Sequence, residues 1–150
     1  MAKQEIWNLL KKQKICRIVF KGDLYPYITP FQYVVLDGVL YFHFADYGKK
    51  MKFLKKDNRV CVEIEQYEED LSEYQFVVLQ GSLKLVADPD EKAKALQMIV
   101  NEGKQRLSSN FLAAHGFKKE DGWDSLIANS DSLVVAKLEH ITKELGLKSP

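Results

Sequence analysis

Between residues 4 and 12 the apolar positions Ile6, Leu9 and Leu10 recur on one face of an otherwise polar stretch, which predicts a short amphipathic helix. The period then changes. Residues 15–20 are β-favouring and close on a Gly22-Asp23 turn. Residues 26–44, PYITPFQYVVLDGVLYFHF, hold two aromatic and β-branched runs flanking Asp37-Gly38, a strong short-range hairpin signal. Pro26 and Pro30 cannot donate to a ladder, so the first run belongs at an edge or a bulge. Residues 45–48 read as a loop and 49–56 as a short helix stopped by Asp57-Asn58. Residues 59–65 alternate as a strand, 68–72 form an acidic loop, and 74–87 form a long strand interrupted at Gly81. A glycine there predicts a bulge or a sharp bend.

The next start signal has a mechanism. Asp88 can cap a helix, Pro89 suits its first position, and Glu91 can complete a capping box. That helix turns Ala95, Leu96, Ile99 and Val100 inward and is expected to end near Gly103. Residues 104–131 are weakly patterned and read mostly as loop, and 132–141 read as a last strand. No repeat, low-complexity tract or linker divides residues 1–150, so they read as one domain. The pattern predicts a mainly β fold, an antiparallel barrel of about six strands. Flanking helices are expected near residues 3–12, 48–56 and 89–103.

Charge changes the picture by exclusion. Lys plus Arg number 22 against 21 Asp plus Glu, a balance that argues against a nucleic-acid binder relying on bulk positive charge. No apolar run approaches the ~20 residues of a membrane span, and the polar N-terminal stretch does not read as a signal peptide. A cytoplasmic location is the expectation. Cys16 and Cys61 stand in no metal or redox spacing and read as buried, reduced thiols. The histidines are too scattered in sequence to suggest a metal cluster.

Candidate chemistry concentrates in LYFHFADYGKKMKFLKKDNRVCVEIE, residues 40–65. Gly48 stands where a helix begins, with Lys49 and Lys50 in its first turn. A helix N-terminus carries free N–H groups and partial positive charge, so two lysines there are unfavourable unless an anion binds. At 100° per residue Met51 and Leu54 define the buried side. Lys49, Lys52 and Lys56 then lie opposite, and Lys50 lies at the border, the better placed to reach an inward ligand. A solvated lysine face is the plain alternative, and GKK is not a phosphate loop of the Walker type. On the same wheel Phe53 falls on the solvent side. With Tyr33 and Tyr41 it suggests exposed aromatics gathered at an interface.

The stretch from Pro26 to Glu65 resembles the central region of the pyridoxamine 5′-phosphate oxidase-like FMN-binding proteins, including the nitroimidazole-resistance-like branch. The likeness continues through YQFVVLQGSLKLVADPDEKAKAL and LVVAKLEHITKELG and leaves residues 104–131 unmatched. The resemblance implies a split β-barrel homodimer with FMN at the subunit interface. It implies that backbone groups of Thr29, Pro30, Phe31 and Gln32 bond the flavin ring's polar edge. It places His43, Phe44 and Ala45 along the ribityl chain, and Gly48, Lys49 and Lys50 at the phosphate. It brings Tyr74 and Gln80 toward the partner's flavin. Read without it, His43 is equally a core histidine, Thr29, Pro30 and Phe31 shape a bulge, and Tyr74 and Gln80 are interface or surface residues. The implied activity is FMN-dependent oxidation or reduction of a small molecule, with NAD(P)H as a possible donor. A non-catalytic flavin-binding or sensing protein, or the same fold holding haem or a deazaflavin, stays open. Pyridoxamine 5′-phosphate oxidases proper grip substrate with C-terminal arginines and a tryptophan. Residues 107–150 contain no arginine, and Trp123 lies in the unmatched segment, so that particular activity is not expected.

Overall fold

The computed structural model describes residues 1–150. Helix α1 (Lys3–Lys12) opens the chain and sends Ile6, Leu9 and Leu10 into the core. Strands β1 (Ile15–Phe20), β2 (Tyr27–Gln32), β3 (Val34–Leu36) and β4 (Val39–Ala45) follow, then helix α2 (Lys49–Lys56), β5 (Arg59–Tyr67) and β6 (Tyr74–Leu85). Helix α3 (Pro89–Arg106), a series of short turns and β7 (Leu133–Lys148) complete it. Every pairing is antiparallel, in the order β2-β1-β5-β6-β7-β4-β3.

The two edges of this sheet, β2 and β3, are consecutive in the chain and separated only by Tyr33. The sheet therefore curls until both edges meet in one segment, the split barrel expected from the sequence. The break falls at Tyr33 for a local reason. Its N–H donates to the Lys14 carbonyl (3.2 Å) and its hydroxyl to the Leu10 carbonyl (2.5 Å), both beside the end of α1. Tyr33 is thus buried, contrary to the expected surface aromatic. Asp37 (φ 52°) and Gly38 (φ 76°) turn β3 into β4 with two left-handed residues, as the hairpin signal requires. Pro30 sits on edge strand β2.

Alternation fills the barrel with Cys16, Ile18 and Phe20 of β1, Val60, Val62 and Ile64 of β5, and Leu40, Phe42 and Phe44 of β4. A second core lies outside it. There Val34, Tyr41, Leu133 and Val135 pack beneath Ala95, Leu96, Ile99 and Val100 of α3, with Leu112, Trp123 and Leu126. Strand β4 is therefore buried on both faces, and Tyr41 is covered rather than exposed. The Tyr41 hydroxyl donates to Glu91 (2.6 Å), as does the Lys137 ammonium (2.9 Å). Glu91 is drawn away from the capping box, and Asp88 alone caps α3 by accepting from the Asp90 N–H.

Three further expectations are corrected. Phe53 is buried, because Tyr27 packs against it at a centroid distance of 5.4 Å on a side the helical wheel assigned to solvent. Cys61 is half-buried on the outer face of β5, since Val60 and Val62 take the inward positions. Gly81, by contrast, marks the irregularity expected of it, with the extra residues on β7. Gln80 pairs with Lys143 and Ser82 with Glu139, so Gly81 alone faces residues 140–142. A Cβ at position 81 would lie 2.9 Å from the Glu139 carbonyl oxygen, and His140 takes a φ of 50°. Finally, residues 104–131 are not mostly loop. They form 3-10 turns at Ser109–His115, Lys119–Asp121 and Ser130–Ser132, with a helical turn at Ser125–Ala128. Strand β7 also runs on to Lys148. No helix is long and apolar enough to cross a membrane.

Candidate functional site

The end of β2, the end of β4, the start of α2 and the turn at Ser109–His115 surround a cleft of about 240 Å³. It gathers Pro30, Phe31, Gln32, His43, Phe44, Ala45 and Lys50, all singled out in the sequence. The barrel side of the cleft is aromatic, with the Phe31 and Phe44 rings edge to face at 6.0 Å. The Lys50 ammonium stands 5.2 Å above the Phe31 ring, so it turns inward as the border position predicts. Gly48 (φ 91°) opens α2 without a side-chain cap, and no acid stands in the first turn. The free N–H groups and partial charge of that helix start are therefore left to an incoming anion.

His43 carries the strongest signal. It points from β4 to the face opposite Phe42 and Phe44, and it is buried. Neither ring nitrogen has a hydrogen-bond partner. His115 stacks on it, ring centroids 4.5 Å apart and planes 22° apart. Phe111 and Trp123 meet the His115 ring edge-on at 5.1 and 5.6 Å. His115 Nε2 is also buried and unpartnered, as is Gln32 Oε1, while Gln32 Nε2 donates to the Ile99 carbonyl (3.2 Å). Burial, then the neighbouring His115 and the Lys50 charge, push the His43 imidazolium down to about 3. Burial and then Lys50 push His115 down to about 4. Both rings are neutral near pH 7.

This gives a signed expectation. The unfolded chain binds a proton at His43 below about pH 6.5 and the folded one does not until about pH 3. The stability His43 contributes is full above pH 6.5 and is lost as pH falls from there toward 3. The slope is at most about 1.4 kcal/mol per pH unit. Chemical denaturation at stepped pH should show His43→Gln less acid-sensitive than the parent.

The remaining candidates lie elsewhere. Thr29 precedes the cleft on β2, and Gly48 and Lys49 are exposed at the start of α2. Tyr74 stacks on Phe76 at 5.4 Å near the far end of β6. Gln80 lines a wider groove of about 720 Å³ with Arg59, Cys61, Thr142 and the loop at residues 21–26. The groove is larger, but its charges are already matched: Arg59 and Lys21 both pair with Asp57, at 2.8 and 3.0 Å. The smaller cleft is lined by Gln32, His43 and His115, each with an unpartnered polar atom, and by the inward cation, so it is the better ligand site. Sequence reasoning missed Phe111 and His115. Their segment has no period longer than one turn, and only its histidine hinted at chemistry.

Comparison with known proteins follows the same lines. The family model described as pyridoxamine 5′-phosphate oxidase matches residues 2–115, so residues 104–115, expected to be unmatched, fall within it. No curated protein matches the sequence. Among solved structures, an FAD-binding protein of Mesorhizobium loti is similar over 100% of this chain and 96% of its own, at 18% identity and a TM-score of 0.65. A protein assigned to 5-nitroimidazole antibiotic resistance in Bacteroides thetaiotaomicron is 20% identical, covering 97% of this chain and 82% of its own, with a TM-score of 0.68. A conserved hypothetical protein of Mycobacterium tuberculosis reaches a TM-score of 0.76 at 16% identity, over 97% of this chain and 84% of its own. At these identities the likeness shows a shared fold.

Proposed function

Because the chain belongs to the pyridoxamine 5′-phosphate oxidase family, we propose that it is a flavoprotein that holds FMN in the cleft between β2, β4 and α2 and uses it to oxidise or reduce a small molecule. The observation that carries this reading is the convergence of Lys50 and the unpartnered His43 on one cleft walled by Pro30, Phe31, Gln32, Phe44 and Ala45. Lys50, with the free N–H groups opening α2, would hold the phosphate. Lys49 would close over it from outside, and the backbone of residues 29–32 would meet the ring's polar edge. When bound, the flavin ring supplies the redox chemistry, and the protein binds it, orients it and shields it from water.

The cleft is smaller than the ~300–1,000 Å³ typical of small-molecule sites, so a bound flavin would extend past it. We propose that a second copy of the chain covers the rest. The expected aromatic patch of Tyr33, Tyr41 and Phe53 is buried and cannot serve. The outer sheet face leaves apolar residues uncovered, Ile28 (59% exposed) on β2 and, across β1, β5 and β6 from it, Leu145 (44%) and Leu147 (60%) on β7. Sedimentation at micromolar concentration should give a dimer, and Leu147→Lys combined with Ile28→Lys should weaken it. A monomeric parent would overturn the assembly.

The absorption spectrum of the purified protein, followed by anaerobic NADH and NADPH, tests the function. A flavin spectrum that bleaches supports the oxidoreductase. A flavin that resists every donor favours the binding or sensing protein, and a haem band or a deazaflavin spectrum overturns FMN. No pyridoxal 5′-phosphate should form from pyridoxamine 5′-phosphate, because residues 107–150 hold no arginine to grip a second phosphate and Trp123 is buried against Gly103.

A further inference from the structure

We propose that His115 completes the phosphate site from the side opposite β4, so that a phosphate monoester in the cleft is held by Lys50, His43 and His115 together. This rests on the reading that the cleft takes FMN. It adds a residue from a segment that no part of the sequence pattern tied to the site.

Buried polar atoms in folded proteins almost always have partners. Here both nitrogens of His43 and Nε2 of His115 lack one, and the two rings lie in contact at 4.5 Å. Unpartnered polar atoms on neighbouring residues of one cleft suit an oxygen-rich ligand. The charge of that ligand follows from the neighbours. Lys50 is the charged group that acts on both imidazoles, and His43 and His115 face one another. No carboxylate lines the cleft. An anion with several acceptor oxygens accepts from the Lys50 ammonium and from an N–H of each imidazole, and the second His43 nitrogen, an acceptor in the neutral ring, can join only by taking up a proton; a cation would meet Lys50 unopposed. The aromatic packing of His115 between Phe111 and Trp123 fixes its ring and would fit a purely structural residue too. Its unpartnered Nε2 is what a structural role does not explain.

An anion here also reverses the electrostatics that keep the pair neutral. Binding should draw a proton onto the stacked histidines, which share it because two adjacent imidazolium ions repel.

The test uses flavin fluorescence to compare FMN with riboflavin, which differs only by the phosphate, and inorganic phosphate as competitor. His115→Ala should weaken FMN about tenfold and riboflavin less than twofold. His115→Gln, which keeps one donor, should fall between. Calorimetry in buffers of different ionisation heat should show proton uptake with FMN, reduced in His115→Ala. Ligand-free melting of both variants checks that they fold. Equal losses for FMN and riboflavin, or unchanged FMN affinity, would overturn the assignment while leaving the flavin reading intact. A parent that binds neither flavin nor phosphate would overturn both. Phosphate binding that depends on His115 without flavin binding would sustain the anion site and overturn its FMN source.

Discussion

Lys50→Glu is expected to lower FMN affinity at least tenfold while leaving the barrel folded. Lys50 is the one lysine of α2 whose ammonium faces the cleft, 5.2 Å over the Phe31 ring. Its charge-assisted bond to a phosphate is worth about 1.5–3 kcal/mol, and the substitution adds repulsion to that loss. A tenfold change corresponds to about 1.4 kcal/mol, so the estimate is a lower bound. Lys49→Glu should cost less, because Lys49 is exposed at the helix start. Lys52 is tied to Asp23 at 3.2 Å on the solvent face. Lys52→Glu should therefore leave FMN affinity unchanged and move stability by under about 0.5 kcal/mol. Burial, with a smaller contribution from Lys50, keeps His43 and His115 neutral. Fluorescence titration of flavin-free protein reads the whole series. Parent-like binding in all three variants would place the phosphate elsewhere.

The sequence carried the strands well, because alternation and the Asp37-Gly38 turn are local signals that the sheet obeys. It carried one wall of the cleft for the same reason. Pro30 to Gln32 and His43 to Ala45 are ends of strands whose register is fixed by buried neighbours. It failed where a position has two sides to bury. Tyr41 alternates with core residues and so reads as outward, yet α3 covers that outer face. Phe53 was misplaced because a helical wheel assumes one buried face, while α2 also meets Tyr27. The other wall was not legible at all. His115 reaches the cleft through a 3-10 turn anchored by Leu112 and Trp123, and anchors spaced irregularly leave no period to detect.

That wall depends on a glycine the sequence reading took for a helix end. Gly103 lies inside α3, and the Trp123 ring rests on it so closely that an added Cβ would stand 2.3–2.6 Å from three ring carbons. No atom pair tolerates that distance, and Trp123 cannot yield cheaply, being 5% exposed and packed in the second core with Leu112 and Leu126. Overpacking of this kind costs about 1–3 kcal/mol. Alanine in place of a helical glycine returns about 0.5–1 kcal/mol of that. Gly103→Ala is thus expected to destabilise the protein by about 1–2 kcal/mol, a melting temperature lower by about 2–8 °C. Gln105→Ala, on the exposed side of the same turn, gains the helix preference without the clash and should be neutral or slightly stabilising. The consequence reaches the cleft, because Trp123 meets the His115 ring edge-on at 5.6 Å. A displaced indole moves His115 off His43, so Gly103→Ala should also weaken FMN more than riboflavin, in the same sense as His115→Ala. Trp123 emission, read in a Trp7→Phe background, should report a more solvated indole. A Gly103→Ala protein that melts at or above the parent temperature and binds FMN equally would show that the segment at residues 109–131 does not lean on α3 to hold His115 in place.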